Sequence, residues 1–315
     1  MNIATIDIGT NTVLLLIAQF DDRGSIMPLV YEQRVPRLGK GVDQSKTIRH
    51  ESIDRVVGVL REYRQIISQF HVDAVAVCGT SAVREAANRE NFASRIKHEV
   101  GFDLEILSGD DEALWTYRGA VSGLPEVSRA TVVDIGGGST EITIGDRKRI
   151  HEKISLDVGS VRLTERMFHH DPPTELELEA AIETVENEIE HAAKFHFADT
   201  TLIGVAGTAT TLAILAQGLR NFNVDAVTNY LLKQERVEEL FRMLRSLRSS
   251  AIRELSTVLE GRHDVITAGS LILREVMAHF KFGEMIVSER GVRYGLAIRE
   301  WERMSTDTRQ PTIVN

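Results

Sequence analysis

Residues Ile3–Gln19 read "IATIDIGTNTVLLLIAQ". Two apolar runs flank a small polar centre of Asp7, Gly9, Thr10, Asn11 and Thr12, the pattern of a buried β-hairpin with an exposed turn. Residues Val132–Ile144 repeat it as "VVDIGGGSTEITI", with Asp134 and Gly136 each 127 positions after Asp7 and Gly9. "VAVCGTSA" and "LIGVAGTAT" form a second matched pair, in which Gly79 and Thr80 precede Gly207 and Thr208 by 128 positions. Between these motifs, "VPRLG" loosely echoes "GSVRL". Motifs that recur in one order at nearly one offset indicate a duplicated domain rather than a short solenoid repeat.

The intervening sequence supports two α/β units. Ile53, Val56, Val57, Leu60, Tyr63, Ile67 and Phe70 fall at helical spacing on one face. Thr174 and Glu177 signal the start of a long helix whose buried face carries Leu178, Ile182, Val185 and Ile189. Ser108, with Asp111 three residues on, starts another. Each half reads hairpin, strand, helix, strand, helix. Turn residues in "GAVSGLPEVS" (Gly119–Ser128) place the boundary there, giving domains 1–122 and 123–295. A strand and a glycine-bearing turn then lead to a final helix at about 296–305, and 306–315 is expected to be a mobile tail.

Composition narrows the function. The chain has 315 residues, 43% hydrophobic and 26% charged, with a net charge of −9. Two cores fit that length, and the acidity argues against a nucleic-acid polymer as partner. The single cysteine, Cys78, lies in an apolar strand and reads as a packed thiol. No cationic segment precedes the first apolar run and Asp7 interrupts it. The reading is therefore a cytoplasmic protein with no membrane span.

Turns built from Gly, Ser, Thr and Asn expose backbone N–H groups in a concave nest suited to phosphate. Gly9, Thr10, Asn11 and Thr12 form one nest, and Gly136, Gly137, Gly138 and Ser139 its counterpart. A carboxylate beside each nest would repel phosphate unless a cation lay between, so Asp7 and Asp134 suggest Mg²⁺ held largely through water and phosphate oxygens. Thr80 and, in the other half, Gly207 and Thr208 stand where strand passes to helix, a natural anion site, and Arg84 lies one turn on. Glu141 follows the second nest inside an apolar strand, where it could orient or deprotonate a water. Glu112 sits at a helix start, where an acid is also favoured by the helix dipole. Neither a Walker nor a Rossmann phosphate motif occurs.

The ordered segments "DIGTNTVLLLI", "GTSAVREAANR", "SGDDEALWTYRG", "VVDIGGGSTEITI", "LDVGSVRLTERM", "GVAGTATTLA" and "VSERGVRYGLA" resemble the exopolyphosphatase / guanosine pentaphosphate phosphohydrolase (Ppx/GppA) family in its short two-domain form, over roughly Ile3–Glu300. The resemblance implies two duplicated ribonuclease-H-like domains of the actin-like ATPase superfamily, facing across a cleft, with the last helix packed back on the first domain. It implies Glu112 as the catalytic acid that activates water, Asp134 and Glu141 as acids that bind Mg²⁺ and assist, Asp7 beside the first phosphate loop, and Arg84 on phosphate. The first loop departs from the family's commoner "DIGSNS", although Thr10 and Thr12 keep the hydroxyls. The additional C-terminal helical domain of longer members is not expected in this length, which favours short-chain or general substrates over processive action on long chains.

The implied activity is hydrolysis of the terminal phosphoanhydride of inorganic polyphosphate, with guanosine pentaphosphate as the alternative substrate; a homodimer is compatible with it. A sugar-kinase-like ATP phosphotransferase and a non-catalytic phosphate sensor are the competing readings. The ordered motifs argue against the first and retention of Glu112 against the second.

Overall fold

The computed structural model describes residues 1–124, 127–146 and 149–307. The first unit runs β1 (Asn2–Ile8), β2 (Val13–Phe20), β3 (Ile26–Arg34), α1 (Val42–Ser45), α2 (His50–Ile67), β4 (Ala74–Gly79), α3 (Ser81–Glu85), α4 (Arg89–Val100) and β5 (Leu104–Ile106), followed by α5 (Gly109–Ser122). The second runs β6 (Arg129–Ile135), β7 (Thr140–Asp146), β8 (Ile150–Leu156), α6 (Ser160–Met167), α7 (Glu175–Ile189), β9 (Thr201–Val205), α8 (Ala206–Ala216), α9 (Val224–Val227), β10 (Leu231–Lys233), α10 (Gln234–Ser246), α11 (Ser249–Arg253), α12 (Ile266–His279), β11 (Glu284–Val287) and α13 (Val292–Asp307).

The two sheets share one topology. The first has the order β3-β2-β1-β4-β5 and the second β8-β7-β6-β9-β11, with β10 added at the edge. In each, the leading strand pairs antiparallel with its hairpin partner and parallel with the strand beyond it. These are two ribonuclease-H-like α/β domains facing across a cleft. The parallel pairing puts the β1–β2 turn and the β4–α3 junction at one end of the first sheet, and the β6–β7 turn and the β9–α8 junction at the same end of the second. Ligands of α/β sheets bind at that carboxyl edge.

Register refines the repeat. Asp7 lies opposite Cys78 and Asp134 opposite Val205, so Cys78 and Val205 are equivalent and the next residue in the second half is Ala206, not Gly207. Ala206 takes a left-handed φ of 61° at the start of α8, a conformation that strains a residue with a Cβ. The hairpins also differ in one decisive position. Asp7 pairs with Leu14, whereas Asp134 pairs with Glu141, so the second hairpin carries two acids on one face and the first carries one.

The halves exchange helices. Helix α5 falls within the first domain by sequence, yet Tyr117, Ala120 and Leu124 pack on Ala130, Val132, Ile203 and Val205 of the second sheet. Helix α13 returns to the first sheet, where Tyr294 and Ala297 pack on Ile3, Leu16, Ala18 and Phe20. The two helices cross at bare backbone: a Cβ on Gly119 would meet the Gly291 carbonyl, and one on Gly295 the Trp115 carbonyl. Gly295 is therefore a crossing glycine inside a helix rather than a turn residue. That is why α13 begins at Val292 instead of near 296, and it also takes in Thr306 and Asp307. The remainder of the expected tail, 308–315, and residues 125–126 of the expected boundary lie outside the described residues. Among the described residues no helix is long and apolar enough to cross a membrane.

Gly295→Ala is expected to destabilise the protein by about 1–3 kcal/mol through overpacking, although alanine is the better helix former. Urea unfolding checks this; a stabilised variant would show that the crossing has room to spare.

Candidate active site

Both hairpin turns close in the same way. The Gly9 N–H donates to the Thr12 carbonyl at 2.9 Å, and the Gly136 N–H to the Ser139 carbonyl at 3.0 Å. Each turn is then held from behind. The carbonyls of Thr10 and Asn11 accept from the amides of Gly39 (2.8 Å) and Arg37 (3.0 Å). Those of Gly136 and Gly137 accept from Ser160 (2.9 Å), Val161 (2.9 Å) and Arg162 (3.0 Å) at the start of α6. In a planar trans peptide the next N–H points opposite to the carbonyl, so the amides of Asn11, Thr12, Gly137 and Gly138 are turned away from these backing segments. The loosely matched "VPRLG" and "GSVRL" segments are those that back the two turns.

The turns also touch each other. A Cβ on Gly137 would lie 2.9 Å from the Thr10 Cβ, and one on Gly138 would collide with the Ser81 hydroxyl; only glycine permits this approach. The backing segments lock the domains reciprocally. Arg37 forks onto Asp264 with contacts of 2.8 and 2.9 Å, and Arg162 binds Glu85 at 2.6 Å. Asn11 Nδ2 donates to the Gly261 carbonyl at 3.3 Å across the same boundary.

The cleft is lined by Asp7, Gly9, Thr10, Asn11, Thr12, Thr80, Glu112, Asp134, Gly136–Gly138, Ser139, Gly207 and Thr208. Helix α5 brings Glu112 there: Ser108 Oγ caps the helix by accepting from the Asp111 amide at 3.0 Å, and Glu112 is 8% exposed in its first turn. Arg84 does not line the cleft; its Nη1 donates to Glu112 Oε2 at 2.8 Å and to the Leu107 carbonyl at 3.0 Å. Glu141 also stands off the cleft wall. It is 2% exposed, and its Oε1 accepts from Ser155 Oγ at 2.7 Å. Thr208 spends its hydroxyl on the Ile135 carbonyl at 3.3 Å. Cys78 is an inert buried thiol 3.9 Å from Asp7 Oδ1.

Three carboxyls line the cleft and Glu141 lies behind them, and each of the four is pushed upward. Burial, then repulsion from Glu112, raises Asp7 to about 7. Burial, then Glu112 and Asp7, raises Asp134 to about 8. Burial, then Glu112 and Asp134, holds Glu141 well above its ordinary range. Burial also raises Glu112, while the adjacent Arg84 opposes the shift. A cation placed among these carboxyls would favour their charged forms. Among the described residues no group of three or more His, Cys, Asp or Glu side chains forms a ready metal cage. That donor set fits an ion which keeps waters and takes one or two carboxylates plus substrate oxygens, as Mg²⁺ does.

Among the further cleft-lining residues that sequence reasoning does not single out are Tyr31, Arg262, Glu289 and Arg293. Arg262 Nη1 occupies the space where a Cβ of Gly207 would lie, so that glycine makes room for a cation beside the turn. The local signal is an arginine one or two positions after a glycine, Arg262 in "EGRHD" and Arg293 in "ERGVR".

The sequence profile of the Ppx/GppA phosphatase family matches residues 16–304. Exopolyphosphatase 2 of Mycobacterium tuberculosis is 33% identical over 311 residues, covering 94% of this chain and 97% of that protein. The guanosine-5'-triphosphate,3'-diphosphate pyrophosphatase of Vibrio atlanticus is 27% identical over 93% of this chain and 58% of its own length. The solved Aquifex aeolicus PPX-GPPA enzyme superposes with a TM-score of 0.81 at 33% identity, over 95% of this chain and 99% of that one. The chain belongs to the Ppx/GppA phosphatase family.

The raised carboxyls bind protons more tightly folded than unfolded, so their contribution to stability is lost as pH rises, for Asp134 from 3.8 through about 8. Without divalent cation, the melting temperature should fall between about pH 5 and pH 8, and Asp134→Asn should flatten that fall. Mg²⁺ should stabilise the wild type more at the upper end. Thermal melts across pH check this; a slope unchanged in Asp134→Asn would contradict the assigned cause.

Proposed function

We propose, from membership of the Ppx/GppA phosphatase family, that this protein is an exopolyphosphatase that releases orthophosphate from the end of inorganic polyphosphate in the cytoplasm. The observation that carries the reading is the buried Glu112 carboxylate facing two glycine-rich turns whose amides are turned forward. The turn amides, with the hydroxyls of Thr10, Thr12 and Ser139, hold the terminal phosphates. Thr80 and Arg84 hold Glu112 in place, and Arg84 opposes the upward shift that burial imposes on it. Glu112 orients a water and takes its proton as the water oxygen attacks the terminal phosphorus. The bridging P–O bond breaks, and its electron pair stays with the departing chain. Glu141 supports this acid through the field at the cleft floor and, in this conformation, not by contact with the cleft.

Asp7 and Asp134 are the residues that would hold Mg²⁺, with Glu141 behind them. When bound, that ion would neutralise charge on the phosphate oxygens. Guanosine pentaphosphate presents the same terminal group, and the similarity to the Vibrio atlanticus enzyme favours it as a second substrate.

Glu112→Gln should lower kcat by about 10²–10⁴-fold, the range for a general base, with KM little changed. Phosphate release from tripolyphosphate in Mg²⁺ measures it, and near-normal turnover would remove Glu112 from this role. Since burial raises Glu112, the acidic limb of kcat/KM should lie above the ordinary glutamate range.

A further inference from the structure

Two arginines that line the cleft, Arg262 and Arg293, form no ion pair among the described residues. Arg293, in the first turn of α13, is 3% exposed and lines the cleft. Its Nε and Nη1 are buried without a hydrogen-bond partner among the described residues, and Nη2 makes one 3.4 Å contact with the Glu289 carbonyl. Guanidinium donors left dry are costly, which makes them receptors for an acceptor that arrives later. The guanidinium lies over the Tyr31 ring, its central carbon 3.8 Å from the ring centroid. That stack fixes its plane while consuming no donor. Arg262 is a second, half-buried cation, and its charge is disfavoured by desolvation and by Arg293.

Elsewhere the cleft is acidic. Glu112 is held there by Arg84 at 2.8 Å. The strand order β3-β2-β1-β4-β5 puts Tyr31, under Arg293, on β3, Asp7 on the central β1, and Arg84, which holds Glu112, just after β4. The cleft is thus polarised, with the water-activating acid at one end, Asp7 between, and Arg293 at the other.

Attacking and leaving oxygens lie roughly in line on opposite sides of the transferred phosphorus. If water enters beside Glu112, the leaving oxygen emerges toward Arg293. We propose that Arg293 is a catalytic residue whose Nε and Nη1 bind the departing phosphate and stabilise the charge that grows on the bridging oxygen. The inference rests on the hydrolase reading given above. The step balances without a further reactant. The water oxygen bonds to the terminal phosphorus, and its proton passes to Glu112. The bridging pair of electrons remains on the leaving oxygen, which becomes a terminal oxygen of a chain one phosphate shorter.

The test uses the full chain, tripolyphosphate and guanosine pentaphosphate in Mg²⁺. Absence of phosphate release from both by the wild type would overturn the hydrolase reading and this proposal with it. Given wild-type release, Arg293→Gln is expected to lose about 10²–10³-fold in kcat, the scale of one transition-state donor, with a smaller rise in KM. Arg293→Lys keeps the charge but not the planar fork, and should lose about tenfold in kcat with a wild-type melting temperature. Added guanidinium ion should restore part of the activity of Arg293→Ala and none of that of Glu112→Gln. A kcat within threefold of wild type in Arg293→Lys and Arg293→Gln would overturn the proposal and leave the hydrolase reading standing. So would a loss confined to KM, or no rescue in an Arg293→Ala protein with a wild-type melt. Should the Gln and Ala variants fail to fold, the kcat of Arg293→Lys decides.

Discussion

Everything in the cleft depends on where four backbone carbonyls go. Those of Thr10, Asn11, Gly136 and Gly137 are bound from behind by the amides of residues 37–39 and 160–162. A peptide group cannot turn its N–H and its carbonyl the same way. Tying the carbonyls back therefore fixes the donor edge of each turn before any ligand arrives, and preorganised donors need no rearrangement at the moment of reaction. The same segments carry Arg37 and Arg162, which reach across to Asp264 and Glu85. The device that aims each turn thus also sets the distance between the domains.

Duplication accounts for the symmetry of this arrangement, and departures from it supply the chemistry. Leu14 in the first hairpin is replaced by Glu141 in the second, so acids accumulate on one wall. Helix α5 carries Glu112 out of the first half and packs on the second sheet, and α13 carries Arg293 out of the second half and packs on the first. The two charges that polarise the cleft stand on the two helices that change sides. Their crossing at Gly119, Gly291 and Gly295 couples the position of one charge to that of the other.

The repeated Asp-Ile-Gly turns are legible in the sequence because small polar residues between two apolar strands must leave the core, and finding them twice gives the architecture. The helix starts at Ser108 and Thr174 are legible because capping is local. What depends on long-range packing is not. Helix α5 has apolar residues that suit either sheet, and no neighbouring residue says which. Arg84 looks like a phosphate ligand by position, but the structure pairs it with Glu112, 28 residues away. Arg293 becomes conspicuous only when Tyr31, from the far side of the first sheet, is found beneath it. The glycine at 207 reads as part of a nest, whereas its missing Cβ makes room for Arg262.

In the proposed reaction, water activated at the acidic end attacks the terminal phosphorus while the chain departs toward Arg293. Hydrolysis of tripolyphosphate in oxygen-18 water tests it most directly, with mass analysis of both products. Attack at the terminal phosphorus puts one labelled oxygen in the released orthophosphate and none in the pyrophosphate. Label in the pyrophosphate would place the attack on an internal phosphorus and rule this reaction out.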